Sequence, residues 1–149
     1  MKVIITGGGG FLGSQLATAL LERGTLTGSP GNQEPIDEMV LIDVRFPVPR
    51  NDPRVQQIIG DISERDLIDS AIGGATDVSI FHLASMVSGE CEERYDDAIR
   101  VNLDGGRNVF EAARAIEGRP RVVFASSIAC FGGAAMPLSL IHISEPTRR

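Results

Sequence analysis

A glycine-rich turn close to the amino terminus constrains this chain more than any other feature. An apolar run at 2–5 leads into Thr6-Gly7-Gly8-Gly9-Gly10-Phe11-Leu12-Gly13. Within it, Gly7, Gly10 and Gly13 form a G-x-x-G-x-x-G pattern. In a strand–turn–helix unit the first glycine permits the tight turn, the second lets a pyrophosphate approach the backbone, and the third lets the helix pack closely on the strand. The pattern favours dinucleotide binding, with a purely structural turn as the alternative.

The segment that follows the turn, 11–23, has the spacing of an amphipathic helix. We expect its apolar face to consist of Phe11, Leu12, Leu16, Ala19 and Leu20. The first N–H groups of a helix have no partners within it, and the positive end of the helix dipole lies at the same place. Both properties attract phosphate groups, so the start of this helix is the predicted phosphate site.

Asp43 closes the next predicted strand, Met39-Val40-Leu41-Ile42. A carboxylate there can accept both hydroxyls of an adenosine ribose, and its charge repels a 2′-phosphate, which favours NAD over NADP. The gap from the glycines exceeds the usual one of about 20 residues. The excess, 24–38, is rich in Gly, Pro, Thr and Asn and is interpreted as a surface loop. Two alternatives stay open: Asp43 merely caps a loop, or Arg45, close by, meets a 2′-phosphate.

Composition narrows the classes of partner. The 149 residues carry a net charge of −6 and no basic cluster, which argues against nucleic acid and against an anionic membrane surface. We find neither a secretory leader nor an apolar run of about 18 residues, so we expect a cytoplasmic protein. Cys91 and Cys130 are far apart, without the spacing of metal ligands, and are interpreted as reduced thiols. No metal is therefore expected.

Predicted strands and helices alternate along the chain. The strands are expected at 2–6, 39–43, 55–59, 78–84 and 121–126, and the helices at 11–23, 64–72 and about 90–116. This alternation predicts an α/β fold, a Rossmann-type, doubly wound parallel sheet with strand order 3-2-1-4-5. In such a sheet the ligand crevice lies at the carboxyl ends of the first and fourth strands.

Several polar residues stand at or near these strand ends. Asp61 follows the third strand, where its carboxylate could accept the adenine amino group with Ile62 against the ring, or could simply end the strand. His82 lies inside an apolar run and is interpreted as a buried, hydrogen-bonded core histidine rather than a catalytic one. Asn102, on the long helix, could satisfy buried backbone groups near the site. A hydroxyl from Ser126-Ser127 could reach a substrate oxygen.

Taken together, these segments resemble the extended short-chain dehydrogenase/reductase family, also called NAD-dependent epimerases/dehydratases. The matching stretches reach to about residue 135 and are 6–13, 41–43, 60–62, 81–84, 101–105 and 124–132. The resemblance implies NAD as cofactor, a small-molecule substrate and a homodimeric protein. Segments 24–27, 35–37 and 86–90 look more like members that oxidise a hydroxyl of a four-carbon sugar acid, D-erythronate, than like sugar-nucleotide epimerases.

The resemblance also implies roles for individual positions. Those near the cofactor are the pyrophosphate turn (Gly7, Gly10, Phe11, Leu12, Gly13), the ribose acceptor Asp43, the adenine pair Asp61 and Ile62, the cofactor-lining Leu83 and Ala84, the supporting Asn102, and Ser126 beside the nicotinamide. Ser127 takes the place of the catalytic hydroxyl that hydrogen-bonds the reacting oxygen. Ser88, Gly89 and Glu90 open the long helix, where they could meet the substrate.

The family's proton-transfer pair, a Tyr followed four positions later by a Lys, is missing from these residues. The only tyrosine is Tyr95, with Ile99 four positions later, and the only lysine is Lys2. A tyrosinate beside an ammonium would have a lowered pKa and could act as general base. Three interpretations stay open: the NAD-binding portion of an oxidoreductase, a fragment of a sugar-nucleotide epimerase or dehydratase, and a non-catalytic NAD-binding module.

The last segment, from about Pro137 to Arg149, departs from what the family places there and resembles a translated sequencing adapter. We therefore expect residues 1–136 to form a truncated, incomplete NAD-binding Rossmann domain and residues 137–149 to be a non-native tail. The alternative is a short protein that ends in a polar segment.

Overall fold

The computed structural model describes residues 1–127 of the chain. The strands are β1 (Lys2–Thr6), β2 (Thr25–Thr27), β3 (Gln33–Pro35), β4 (Glu38–Asp43), β5 (Val55–Ile59), β6 (Val78–His82) and β7 (Arg121–Phe124). The helices are α1 (Phe11–Arg23), α2 (Arg65–Ile72), α3 (Ser88–Glu93), α4 (Tyr95–Ala98), a π-helix (Ile99–Gly105) and α5 (Gly106–Ala115).

Five of the strands form one parallel sheet in the order β5-β4-β1-β6-β7. Numbered as the five predicted strands, this order is 3-2-1-4-5, so the predicted Rossmann-type sheet is confirmed. Parallel strands that are covered on both faces need apolar side chains on both faces. β1 meets this need with the consecutive residues Val3, Ile4 and Ile5, each at most 2% exposed.

The core consists of two apolar layers, one on each face of the sheet. α1 packs on one face, where Ala17 and Leu20 lie with Val3, Ile5 and Leu41. α2 and α5 pack on the other face, and their contribution includes Ile68 and Val109. Burial of this apolar surface is the main driving force for the fold.

The predicted apolar face of α1 is wrong in part. Phe11 and Leu12 are 78% and 65% exposed, and Ala19 is exposed as well, whereas Gly13, Ala17 and Leu20 face the sheet. The rotation of the helix is fixed by Gly13, which must lie against the turn before it. Successive residues of a helix are rotated by about 100° around its axis, so Phe11 is rotated by roughly 200° from Gly13 and points away from the sheet.

The segment 24–38 is also more ordered than the predicted loop. β2 and β3 pair in an antiparallel hairpin with Leu26 opposite Glu34. Arg121, at the start of β7, donates hydrogen bonds from Nη1 to the carbonyl oxygens of Thr27 and Gly28, at 2.5 and 3.4 Å. Strands of three residues are too short to show an alternating apolar pattern. The turn-forming residues of this segment therefore led to the prediction of a loop.

The predicted long helix over 90–116 divides into four helical segments. Its central part, Ile99–Gly105, is a π-helix, and Gly105 is buried against Ile62. A Cβ atom on Gly105 would lie 2.6 Å from Ile62 Cγ1. Two strands are also shorter than predicted, since β6 ends at His82 and β7 at Phe124. No helix in residues 1–127 has both the length and the apolar character that crossing a membrane requires.

His82 is a buried, hydrogen-bonded core histidine, as predicted. Its Nδ1 lies 2.7 Å from Thr6 Oγ1, and that hydroxyl accepts the Ala84 N–H at 3.3 Å. The imidazole and this hydroxyl thus share a hydrogen bond inside the core. The rings of Phe124 and Phe110 lie 5.5 and 6.4 Å from the imidazole. Burial lowers the pKa of His82 below its ordinary value.

We expect Gly13→Ala to destabilise the fold by about 3 kcal/mol, since overpacking against a fixed backbone is costly. The added Cβ would lie 2.1 Å from the Gly7 carbonyl oxygen, a backbone atom that cannot rotate away. Gly89→Ala is the matched control, because no atom lies within 4 Å of a Cβ at Gly89. Urea unfolding measures both, and a Gly13→Ala protein as stable as the Gly89→Ala protein would contradict the close packing of α1.

We expect the stability of the protein to fall as the pH drops through the range below about 6.5, the ordinary histidine pKa. In that range the unfolded chain binds a proton at His82 that the folded chain excludes, so protonation favours unfolding. His82→Asn removes this titration and should lose less stability between pH 7.5 and 5. Urea midpoints at the two pH values measure the loss. Equal losses in the parent and His82→Asn would contradict the burial of a neutral ring.

Candidate functional site

A cleft of about 490 Å³ opens at the carboxyl ends of the parallel strands, where the predicted topology places a ligand crevice. It is bounded by the turn after β1, the end of β4, the loop after β5, the loop after β6 and the helices from α3 to the π-helix. The lining residues are Gly7, Gly10, Asp43, Val44, Gly60, Asp61, Ile62, Leu83, Ala84, Ser85, Met86, Glu90, Arg94, Asp97, Arg100 and Val101.

The floor of the cleft is the glycine turn, which lies directly against the end of β6. Gly7 has φ +74°, and a Cβ there would lie 2.8 Å from the Ala84 backbone nitrogen. Its N–H and that of Gly8 both donate to the Ile42 carbonyl, at 2.8 and 3.1 Å. The turn is therefore held from β4 on one side and pressed against β6 on the other, which requires glycine at Gly7.

The start of α1 faces this floor without a side-chain cap. Gly10 is the N-cap residue, its side chain offers no acceptor, and the first turn contains no acidic residue. A Cβ on Gly10 would meet only the Gly7 carbonyl oxygen, at 3.3 Å. The first turn therefore supplies no side-chain acceptor of its own at the positive end of the helix dipole, an arrangement suited to an anion.

Asp43 lies at the end of β4, half-buried beside the turn. One carboxylate oxygen accepts the Gly9 N–H at 2.9 Å, and the other accepts the Arg45 N–H at 3.3 Å. The Arg45 carbonyl oxygen also crowds Gly9, since a Cβ there would lie 2.1 Å away from it. This end of the cleft therefore presents oxygen acceptors, which suit hydroxyl donors and repel a phosphate.

Asp61 lies in the loop after β5, with both carboxylate oxygens engaged. Oδ1 accepts the Ser63 N–H at 2.9 Å, and Oδ2 accepts Arg100 Nη1 at 2.5 Å. Burial raises the pKa of Asp61, but hydrogen bonds from Ser63 and the Arg100 guanidinium outweigh it, and the pKa lies below its ordinary value. The carboxylate is therefore ionised at neutral pH. Ile62, beside it, is 4% exposed.

The opposite wall, formed by the loop after β6, is held by Asn102. Its amide accepts the Met86 N–H at 2.8 Å and donates to the Met86 carbonyl at 3.1 Å. Cys91 Sγ also donates to that carbonyl, at 3.3 Å. Asn102 thus satisfies backbone groups of the cleft wall at an exposed position, whereas the prediction had placed it against buried backbone groups.

Eight of the predicted site residues share the lining of this cleft. They are Gly7, Gly10, Asp43, Asp61, Ile62, Leu83, Ala84 and Glu90. Phe11, Leu12 and Gly13 form the first turn of α1 just behind it, and Ser88 and Gly89 begin α3. Ser126 and Ser127 are exposed and follow β7 at the same edge of the sheet, outside the lining.

The cleft also contains residues that the sequence prediction missed. Three of these, Arg94, Asp97 and Val101, continue from the predicted Glu90 at intervals of four, three and four, which is the spacing of one helix face. That spacing was the available signal. Arg94 donates to Asp97 at 2.6 Å, and Asp97 accepts Arg100 at 3.3 Å. A chain of alternating charges therefore follows the rim of the cleft towards Asp61.

The tyrosine, the lysine and Cys91 do not line the cleft. Tyr95 is 68% exposed, and Lys2 pairs with Glu38 at the opposite end of the sheet, at 3.1 Å. Cys91 is a free thiol, and within residues 1–127 no group of three or more His, Cys, Asp or Glu residues could hold a metal ion. Cys130 lies outside the described residues.

Comparison with known proteins supplies relatives over the whole of this architecture. The chain is 44% identical over 138 residues to D-erythronate dehydrogenase of Cupriavidus necator, covering 93% of this chain and 42% of the relative. D-erythronate dehydrogenase of Haemophilus influenzae is 41% identical over 134 residues, covering 89% and 40%. The chain thus spans about two fifths of the length of these relatives.

Solved structures give the same fold. The nucleoside-diphosphate-sugar epimerase from Agrobacterium tumefaciens is similar with a TM-score of 0.76 and 37% identity, covering 92% of this chain and 40% of that one. The Bordetella bronchiseptica enzyme WbmH, in complex with NAD+, is similar with a TM-score of 0.67 and 27% identity, covering 88% and 40%. The model of the NAD dependent epimerase/dehydratase family matches residues 3–148. The chain belongs to this NAD-dependent family.

Proposed function

We propose that this chain binds NAD in the cleft and that residues 1–136 are the NAD-binding portion of an oxidoreductase that oxidises a hydroxyl group of a short, D-erythronate-like sugar acid. One observation carries the proposal. The uncapped start of α1 and the Asp43 carboxylate lie side by side, joined by the Gly9–Asp43 hydrogen bond of 2.9 Å. A dinucleotide needs this combination, since its pyrophosphate is an anion and its ribose offers two hydroxyl donors.

In this proposal the dinucleotide extends along the cleft from Asp61 to the end of β6. The pyrophosphate contacts the turn from Gly7 to Gly13, with Phe11 and Leu12 at its outer side, and the adenosine ribose donates to Asp43. The adenine ring contacts Asp61 and Ile62. Leu83 and Ala84 line the path to the nicotinamide, which lies beside Ser126, while Asn102 holds the wall. The support is that most of these residues share one cleft.

The reaction would pass a hydride from a carbon of the sugar acid to the nicotinamide while the hydroxyl proton leaves for a base. The substrate carbinol would become a carbonyl as its C–H bond gives up a hydride, and NAD, when bound, would supply the acceptor for that hydride. Ser127 would hydrogen-bond the reacting oxygen, and Ser88, Gly89 and Glu90 would contact the substrate. A serine hydroxyl has too high a pKa to take the proton, so a separate base is required.

The names of the two sequence relatives, both D-erythronate dehydrogenases, support the sugar-acid substrate. The name of the Agrobacterium tumefaciens structure supports the second candidate, a nucleoside-diphosphate-sugar epimerase. Identity is higher to the dehydrogenases, at 44% and 41% against 37%. We therefore prefer the sugar acid. A homodimeric, cytoplasmic protein remains the prediction for the assembly and its location.

We expect the chain to bind NAD at least about tenfold more tightly than NADP, because a 2′-phosphate would replace a hydroxyl donor opposite the Asp43 carboxylate. Asp43→Asn should narrow this preference, since the amide is neutral yet keeps an acceptor for the Gly9 N–H. Isothermal titration calorimetry with both dinucleotides measures the ratio. Asp104→Asn is the control, because it makes the same change of charge at an exposed residue outside the cleft.

Tighter binding of NADP by the parent would show that Arg45, and not Asp43, determines the cofactor. An unchanged ratio in Asp43→Asn would remove the proposed ribose contact. Because Asp43 holds the glycine turn, the larger change Asp43→Ala would disturb the fold as well and is the less informative variant.

We expect no oxidation of D-erythronate by these 149 residues at saturating NAD, because the chain's single tyrosine and single lysine do not form a Tyr-x-x-x-Lys pair. A chimera that joins residues 1–136 to the remainder of the Cupriavidus necator relative should produce NADH from D-erythronate. Ser127→Ala should then lower kcat about a hundredfold, the usual cost of one donor to a reacting oxygen. Ser70→Ala, at an exposed position of α2, is the control.

NADH production by the 149-residue chain alone, abolished by Ser127→Ala, would contradict the need for a separate base. A chimera that acts on nucleoside-diphosphate sugars and not on D-erythronate would replace the sugar acid with the second candidate.

A further inference from the structure

Side chains of the π-helix and α5 donate several hydrogen bonds to the loop after β5. Arg100 Nη1 donates to Asp61 Oδ2 at 2.5 Å and to Ser63 Oγ at 2.8 Å. Asn108 Nδ2 donates to the carbonyl oxygens of Ile62 and Ser63, at 3.2 and 2.8 Å. Gly105 lets the helical backbone approach Ile62 closely. The backbone and the Asp61 carboxylate of this loop are thus fixed separately.

The π-helix carries the side chains that reach the two walls of the cleft. Arg100 reaches the Asp61 loop, 39 residues back in the chain, and Asn102 reaches Met86, 16 residues back. Two positions so close in the chain reach two separate loops. π-helical turns are rare and occur frequently at functional sites.

We propose that Arg100 is a positioning residue that makes Asp61 select a 6-amino purine over a 6-oxo purine in the bound dinucleotide. The proposal rests on the proposed function, since it takes the adenine of NAD to lie against Asp61 and Ile62. Arg100 acts through the carboxylate and so determines specificity for the adenine end of the cofactor.

The selection follows from which atoms donate and which accept. An ionised carboxylate only accepts hydrogen bonds, and each of its oxygens has two acceptor positions. The Ser63 N–H, the Ser63 hydroxyl and the Arg100 guanidinium occupy three of these four positions, which leaves one for a ligand donor. The adenine 6-amino group donates, whereas the 6-oxo group of hypoxanthine accepts and would face the carboxylate unpaired.

Arg100 is suited to orienting the carboxylate because it is itself held. Its second nitrogen donates to Asp97 at 3.3 Å, and Asp97 is held in turn by Arg94 at 2.6 Å. The Arg100 side chain is 48% exposed, so this ion pair adds little to stability. Its effect on ligand selection should therefore be separable from its effect on folding.

The test compares NAD with nicotinamide hypoxanthine dinucleotide, which differs from NAD only at one edge of the purine: a 6-oxo group replaces the 6-amino group, and N1 carries a proton. Calorimetric titration of the 149-residue chain should show NAD binding at least about tenfold more tightly, the worth of one hydrogen bond to a charged group. Arg100→Gln should reduce the ratio to within about threefold, mainly by weakening NAD. The ratio for Arg100→Lys should fall between those of the parent and Arg100→Gln, because an ammonium keeps the charge but lacks the planar set of N–H donors of a guanidinium.

Arg114→Gln is the matched control, since Arg114 pairs with Glu111 on the surface of α5 and does not line the cleft. It should leave the ratio unchanged. An unchanged ratio in Arg100→Gln, or equal weakening of both dinucleotides, would overturn the proposal and leave NAD binding intact. If the unmutated chain binds NAD and the hypoxanthine dinucleotide equally well, the Arg100 proposal is overturned while the proposal of NAD binding stands. A parent that binds neither dinucleotide would overturn the proposed function as well.

If Arg100→Gln fails to fold, as judged by circular dichroism, Arg100→Lys alone decides: a ratio equal to that of the parent overturns the proposal, and a reduced ratio supports it.

Discussion

Close backbone approach at the glycine turn is the constraint on which the rest of the site depends. A Cβ at Gly7 would collide with the Ala84 nitrogen, one at Gly9 with the Arg45 carbonyl, and one at Gly13 with the Gly7 carbonyl. These three contacts bring the ends of β1, β4 and β6 and the start of α1 together within one turn of chain. Side chains would hold these elements apart, and the uncapped helix start would then face protein instead of a cleft.

The floor of the cleft and its walls are built by different physical means. Backbone contacts and a buried Thr6–His82 hydrogen bond fix the floor, deep in the core. Side chains from one helical segment, Arg100 and Asn102, fix the walls at the surface. The fold can therefore tolerate changes in the walls, which is where specificity for a ligand is set most readily.

Much of the fold was predictable because its signals are local. The glycine spacing, the apolar strands and their alternation with helices determine the sheet order. The position of Asp43 beside the cleft was predictable because it directly follows an apolar strand. The orientation of Phe11 and Leu12 was predicted wrongly because local apolar spacing does not show that Gly13 sets the helix rotation. The pairing of Asp61 with Arg100 was not predictable, since it joins residues 39 positions apart.

Binding of NAD in the cleft is the central claim, and nitrogen–proton NMR of the labelled 149-residue chain tests it most directly. On titration with NAD, the amide signals of Gly7, Gly10, Asp61 and Ala84 should shift together with one dissociation constant. Those of 69–76, which lie near the start of β6, should stay in place. Absence of shifts at millimolar NAD, or shifts confined to residues outside the cleft, would contradict the claim.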